Sequence, residues 1–453
     1  MKIAWYTPFS TKSAIGRFSQ LVCSELLELG VDVTVVRSEH TAIAKNLDCL
    51  PFQSNVVWAH QLERDLASQL GAFDMVAYNV GDHYDYHAYC FSHPRMIRGI
   101  TILHDFILHH ALNSYCHATS NQFGGYAEVV SRECGQKALD ILSRCNVASP
   151  HDRWWQTEIA RYPVFKWAMQ STLGVVTHAK YYEDVVRNRM GCPTTVLPLA
   201  YDHAGQDTDS VRSDLSDQQK VVLLTVGSVN INKRHESIIQ ALAASSYLAD
   251  RIQYRIVGPI TVERRHQLQL LVDSMPIRLD VVMTGEVNRQ QLQKEFATAD
   301  IITCLRNPVL EGGSASVIEG MLTGKPLLVS QAGCYAEIPS QYVHAISIDN
   351  EQHDIQDALT DIVRKYPQAV RRASAGKVWA AQRHAPKKYA EGFVQFVDRV
   401  MFDRPVLEMV DRLAAKVIRW HSPPDSRLLN RLESAVAELF GEEVPSASRS
   451  KAA

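Results

Sequence analysis

The sequence predicts an α/β protein made of two doubly wound, Rossmann-like parallel sheets, and three observations carry that reading. Short apolar runs alternate with helical stretches along most of the 453 residues. A polar stretch, YDHAGQDTDSVRSDLSDQQ at 201–219, interrupts the alternation. Hydrophobic residues make up 46% of the chain, enough to fill more than one core.

Taken in order, 2–7 reads as a buried strand, 16–29 as a helix stopped by Gly30, and 31–36 as the next strand, which is a β-α-β unit. Strands are expected at 56–59, 75–80 and 100–103, helices over 122–145 and 154–169, then strands at 174–178 and 195–199. Such alternation builds a largely parallel sheet covered by helices. This is the first domain, 1–200. The segment 201–219 is too long for a tight turn and reads as the interdomain linker. A second domain, 220–385, has strands at 221–226, 254–257, 281–284, 301–305 and 327–330, each followed by a helical pattern. Helices over 351–403 close the fold, and 405–453 reads as a helical extension ending in a disordered SASRSKAA.

Composition excludes several functions. A net charge of −2 gives no basic excess for a nucleic-acid backbone, so nucleic acid is not an expected partner. The nine cysteines are scattered, odd in number and lack a C-x-x-C pair, which argues against a disulfide framework or structural zinc and fits a cytoplasmic protein. The start, MKIAWYTPF, enters a strand pattern, and no apolar run is long enough to span a bilayer. Membrane contact would therefore be peripheral, at the inner face. Trp154, Trp155 and Trp167, interleaved with Arg153, Arg161 and Lys166, suit either core packing or a surface that meets anionic lipid.

The densest chemical signal is LEGGSASVIEGMLTGKP at 310–326. Residues 314–323 read as a helix with small residues at its start and Gly324 as its stop. The amides of Gly312, Gly313 and Ser314 would face outward at the positive end of that helix, where glycines admit an anion closely. Glu311 lies before the helix and Glu319 inside it, placing one carboxylate near each end of an elongated ligand whose phosphates sit between. In the second domain, Gly227 ends a strand and Lys233 and Arg234 precede a helix, an unfavourable place for cations unless an anion is bound. Upstream, the apolar strand in RGITILHDFILHHA delivers His104 and Asp105 at its carboxyl end, with His109 and His110 expected on a helix surface. GDHYDYH at 81–87 has metal-like spacing but reads better as a loop lining a cleft.

The segment 310–326 resembles the signature of glycosyltransferase family 4, retaining enzymes of the GT-B fold in which two glutamates are separated by seven residues. The likeness is continuous over about 221–340 and patchy over 1–200. It implies a metal-independent hexosyltransferase with no cofactor, using a nucleotide-diphosphate sugar as co-substrate and a sugar, lipid-linked or protein acceptor, as in bacterial polysaccharide synthesis. The first domain would bind the acceptor and the second the nucleotide sugar, with 386–404 crossing back to the first domain. Glu311 would contact the donor sugar, Gly312, Gly313 and Ser314 the diphosphate, and Glu319 the ribose. Lys233 would neutralise the leaving diphosphate, aided by Arg234, because Ser228 stands where the family has arginine. His104 would meet the donor sugar, Gly16 in the first loop would approach the diphosphate, and the backbone near Gly285, Glu286 and Val287 the base. Arg306 would face the diphosphate or pair with a glutamate. Two alternatives stay open: a nucleotide-sugar epimerase on the same fold, and a non-catalytic binding relative.

Overall fold

The computed structural model describes residues 1–121, 124–144, 153–202, 211–215, 220–419 and 431. Thirteen strands are found among them: β1 (Lys2–Thr7), β2 (Asp32–Arg37), β3 (Val56–Trp58), β4 (Met75–Val80), β5 (Gly99–Leu103), β6 (Thr172–Thr177), β7 (Thr194–Val196), β8 (Val221–Val226), β9 (Ile252–Val257), β10 (Asp280–Gly285), β11 (Ile301–Cys304), β12 (Leu327–Ser330) and β13 (His344–Ile346). They form two separate sheets, ordered β3-β2-β1-β4-β5-β6-β7 and β10-β9-β8-β11-β12-β13. All the pairings are parallel, as in Ile3 beside Val33 on one side and Met75 on the other. Helices cover both faces, so central strands such as β4 and β5 are buried along their whole length and need no polar alternation.

Each sheet reverses its strand order beside its first strand, between β1 and β4 and between β8 and β11, and wound sheets bind ligands at the carboxyl ends near such a switch. Those ends face each other. Asp105 after β5 and Glu311 after β11 pair as an isolated antiparallel bridge, and the Gly312 N–H donates to the His104 carbonyl at 2.9 Å. The start of the helix Pro386–Arg419 lies against the first sheet's layer, with the Tyr389 ring 5.0 Å from Phe18 and Phe393 5.1 Å from Trp5. Residues 394–453 form a second compact unit, whose described part continues that helix to Arg419 with Pro405 inside it. No helix among the described residues is long and apolar enough to cross a membrane.

Several local expectations change. The stretch 122–145 contains two helices, Tyr126–Cys134 and Gln136–Leu142, broken at Gly135 with φ of 85°. The stretch 154–169 is helical only through Arg161, because Pro163 cannot continue a helix, and a 3-10 turn follows at Lys166–Met169. Trp167 is a core residue, stacked on Phe91 at 4.9 Å, whereas the side chains of Trp154 and Trp155 lie outside the described residues. His109 is buried and bonded to the Tyr126 hydroxyl at 2.7 Å and the Tyr162 carbonyl at 2.8 Å, not placed on a helix surface. Most of the linker segment and the SASRSKAA tail also lie outside the described residues.

Candidate active site

The helix Ala315–Leu322 opens with Ser314 as its extended N-cap, and Gly324 follows it with φ of +74°. Its buried face of Val317, Ile318, Met321 and Leu322 fixes it against the second sheet. Of the three amides expected to face outward, that of Gly312 is already bonded to His104, whose carbonyl a Cβ at Gly312 would approach to 2.6 Å. Gly312 is therefore the contact point between the domains and not a free donor. The amides of Gly313 and Ser314 have no partner among the described residues. Gly313 packs directly on His178, where a Cβ would lie 3.2 Å from that of the histidine.

Glu311 is held from the second domain. Its Oε1 accepts from Arg306 Nε at 3.0 Å and from the Tyr335 hydroxyl, while Oε2 accepts only the Leu310 amide at 3.3 Å among the described residues. Burial alone would raise this carboxyl, but the Arg306 charge and these hydrogen bonds outweigh it and keep it below the usual range. Lys233 stands beside Arg306 at the end of β8, and its Nζ donates to the Val226 carbonyl at 2.7 Å. Burial first, and then the Arg306 charge, push Lys233 down to about 7. Gly227, with φ of +100°, makes room for it, since a Cβ there would sit 2.3 Å from the ammonium. The two loops are joined by the Asn307 amide, which donates to the Asn232 carbonyl at 2.8 Å.

Two expected contributors are engaged elsewhere. Arg234 is left-handed in backbone, with φ of 60°, and its guanidinium grips Glu351, the first residue of the helix Glu351–Arg364, at 2.6 to 2.9 Å. That leaves Arg306 as the cation beside Lys233. The Gly16 amide is taken by Ser13 Oγ at 3.0 Å in the first turn of the helix Ala14–Glu28, and a Cβ there would press to 2.4 Å on the Pro8 carbonyl, so close packing explains this glycine. Val287 is half-buried in the loop after β10, against the second-domain core.

His104 is at the carboxyl end of β5, as expected, but its ring turns inward. Its Nε2 faces Asn79 Oδ1 at 2.9 Å and its Nδ1 faces Nε2 of His178 at 3.1 Å. Burial, followed by the neighbouring imidazoles, lowers His104 well below an ordinary histidine, and burial brings His178 to about 4. Beside them, Asp105 is raised to about 6 by burial despite the Asp82 amide donating to it at 2.8 Å. Asp82 in turn accepts the Ala111 amide at 2.8 Å at the start of the helix His109–Ala118. Glu319, raised by burial and opposed by the Arg17 and Arg289 charges, is bonded by the Tyr201 hydroxyl.

Two cavities of about 390 Å³ flank Asp105. One reaches Arg17, His104, His178, Tyr201, Arg289 and Gly313, spanning both domains. The other lies over the first domain and is lined by Lys12, His83, Tyr86 and Leu310. Sequence reading missed His178, Arg17, Tyr201 and Tyr335 as site residues. For His178 a signal existed, since VVTHAK delivers a histidine at a strand end in the same way as ITILHD.

Residues 206–379 match the family model described as "Glycosyl transferases group 1". No curated protein matches the chain in sequence. Among solved structures it is similar to Anabaena HepE in complex with UDP and glucose, at 12% identity over 88% of this chain and 100% of that one, with a TM-score of 0.54. A glycosyltransferase from Rickettsia africae gives 12% identity over 88% and 98% with a TM-score of 0.57. Sucrose-phosphate synthase from Thermosynechococcus elongatus gives 12% over 88% and 99% with a TM-score of 0.54. The two wound domains thus form a GT-B fold, and the second of them carries the match to the group 1 glycosyl transferases.

Proposed function

We propose that this protein is a retaining glycosyltransferase of the family 4 type, which moves a hexosyl group from a nucleotide-diphosphate sugar to a hydroxyl acceptor in polysaccharide or glycoconjugate synthesis. One observation carries the reading: Lys233 stands beside Arg306, which pairs with the single carboxylate Glu311, next to the amides of Gly313 and Ser314 that have no partner among the described residues. Two cations against one anion at a helix N-terminus leave a surplus of positive charge, which suits a diphosphate and requires no metal. HepE binding UDP and glucose on a similar fold agrees with it.

In this scheme the hard step is departure of the diphosphate. Lys233, Arg306 and the two amides stabilise the charge that develops on it, and fixed donors in a buried site do this without reorganising. Glu311 uses Oε1 to hold Arg306, leaving Oε2 for a hydroxyl of the donor sugar. Glu319 exchanges Tyr201 for the ribose diol, and the backbone at Val287 meets the base. His104 contributes to the wall beside the sugar. The acceptor enters through the cavity over Lys12, His83 and Tyr86, reaching the reacting carbon past Asp105.

Thermal denaturation with UDP, GDP, dTDP and ADP, in chelator and without added metal, tests this. At least one should stabilise the protein, by about 2.7 kcal/mol at a hundred times its Kd. Unchanged melting with all four would sink the reading.

A further inference from the structure

The buried chain from Leu197 through His178 and His104 to Asn79 has three contacts between ring nitrogens and their neighbours, and two neutral rings supply only two protons for them. At one end His178 Nδ1 faces the Leu197 carbonyl at 2.9 Å. At the other, His104 Nε2 faces Asn79 Oδ1 at 2.9 Å. Both of these oxygens accept only, so both outer nitrogens must carry hydrogen. Asn79 cannot turn its amide round to help, because its Nδ2 donates to the Tyr6 carbonyl at 2.7 Å and a flip would set two oxygens against each other there. The middle contact, His178 Nε2 to His104 Nδ1 at 3.1 Å, then needs a third proton. Two neutral imidazoles leave one contact as a lone pair facing a lone pair. One added proton satisfies all three.

What holds that proton off is burial, since a shared imidazolium here would be a charge removed from water. The surroundings do not compensate it. On the first domain the facing groups are His87, bonded to the Asn79 carbonyl, and Asp105, already held by the Asp82 amide. From the second domain Glu311 is neutralised by Arg306, and Glu337 is engaged by the Tyr181 amide and lies 3.8 Å from Arg383. The first helix offers Arg17 and the second domain Arg289, which both add positive charge to the cavity, and residues 384–393 add His384, bonded to the Leu199 carbonyl, and the Tyr389 ring.

The dyad lies against the place where an anion is expected. Gly313 rests on His178, and Gly312 is bonded to His104. We propose that the His104–His178 pair takes up one proton when a diphosphate occupies the amides of Gly313 and Ser314, so that anion binding and protonation are linked and His178 is a positioning residue for His104. The proposal deepens the transferase reading and rests on it. As the sugar–phosphate bond breaks and charge grows on the diphosphate, the shared imidazolium would hold it by a fixed positive charge. The sign follows: a group whose pKa is higher in the bound state strengthens binding as pH falls, until the pH passes below its free value.

Isothermal titration calorimetry at pH 6, in two buffers of different ionisation enthalpy, reads the proton directly. UDP-, GDP-, dTDP- and ADP-glucose serve as probes because their diphosphate is esterified at both ends and does not titrate near neutrality. Lys233 is already charged at that pH and adds little. The wild type should take up about one proton per ligand bound, and its affinity should fall up to tenfold per pH unit as pH rises from the free-state to the bound-state pKa, and level off above it. His178→Gln, whose amide can donate to both His104 and the Leu197 carbonyl, should bind the same probe with uptake near zero. His178→Phe is the second variant. Binding without proton uptake in the wild type, or full uptake in a folded His178 variant, overturns the dyad and leaves the transferase reading standing. Absence of binding by every probe overturns both.

Discussion

Lys233 is the residue on which stability and function pull apart most measurably. Its ammonium is buried, has one carbonyl as its hydrogen-bond partner among the described residues, and faces Arg306. A lysine brought from 10.5 to about 7 carries a penalty of about 5 kcal/mol in its charged form. The sign is set by the unfolded chain, which holds this proton up to its ordinary pKa while the folded protein releases it near 7, so stability rises with pH across that interval. Lys233→Met keeps the length of the side chain and removes the charge. It also leaves the Val226 carbonyl without its donor, a loss of about 1–3 kcal/mol. The net expectation is a gain of about 2–4 kcal/mol at pH 6, or several degrees in Tm for a domain of this size, passing through zero near about pH 9 and becoming a loss of about 1–3 kcal/mol above about pH 10, where only the missing donor to Val226 remains. The same variant should lose stabilisation by nucleotide diphosphates and fall about 100-fold in turnover. Scanning calorimetry at pH 6 and pH 9, with and without nucleotide, measures all of this. A variant that melts below wild type at pH 6, or that keeps its nucleotide shift, refutes the account of Lys233 as a buried cation maintained for an anion.

Other predictions follow the same geometry. Glu319→Gln should weaken binding of the bare nucleotide diphosphate, because a diol contact exists whether or not a sugar is attached, whereas Glu311→Gln should leave that affinity nearly intact and slow transfer; equal losses by calorimetry would end this division of labour. Arg234→Ala strands the buried Glu351 carboxylate and should cost about 3–5 kcal/mol of stability with little change in turnover of the folded variant; a large fall in turnover at unchanged Tm would restore Arg234 to the site. Gly312→Ala drives a Cβ against the His104 carbonyl and should break the bond between the two loops, slowing transfer about 100-fold while bare-nucleotide affinity holds; wild-type transfer rates would show that this contact is dispensable.

The elements were legible where patterning is strong. Buried strands such as β4 and β8 match their expected bounds because parallel strands covered on both faces are unbroken apolar runs. Gly30 and Gly324 end helices in left-handed conformations, as their positions after apolar periodic stretches suggest. The short edge strand β13 is not legible, since three residues, HAI, carry too little pattern to stand out. The break near Pro163 is written in the proline itself, although the residues on either side have a helical pattern.

By itself the sequence determined the class of fold, the strand ends that carry His104, Gly227 and Arg306, and the helix entrance at 312–314, because each depends on local periodicity or on a glycine. Which cation stands beside Lys233 was decided by tertiary structure. Arg234 is adjacent in sequence, but a backbone with φ of 60° turns it to Glu351, which is 117 residues away, while Arg306 arrives from a different strand. The same holds for the amides: Gly312 is spent on His104 only because two sheets separated by the linker meet at that point. His104 and His178 are 74 positions apart, and the proton they lack becomes visible only when the acceptors at both ends of their chain are in place. Charge, burial and hydrogen-bond supply belong to the assembled surroundings of a side chain, and sequence fixes the side chain without fixing those surroundings.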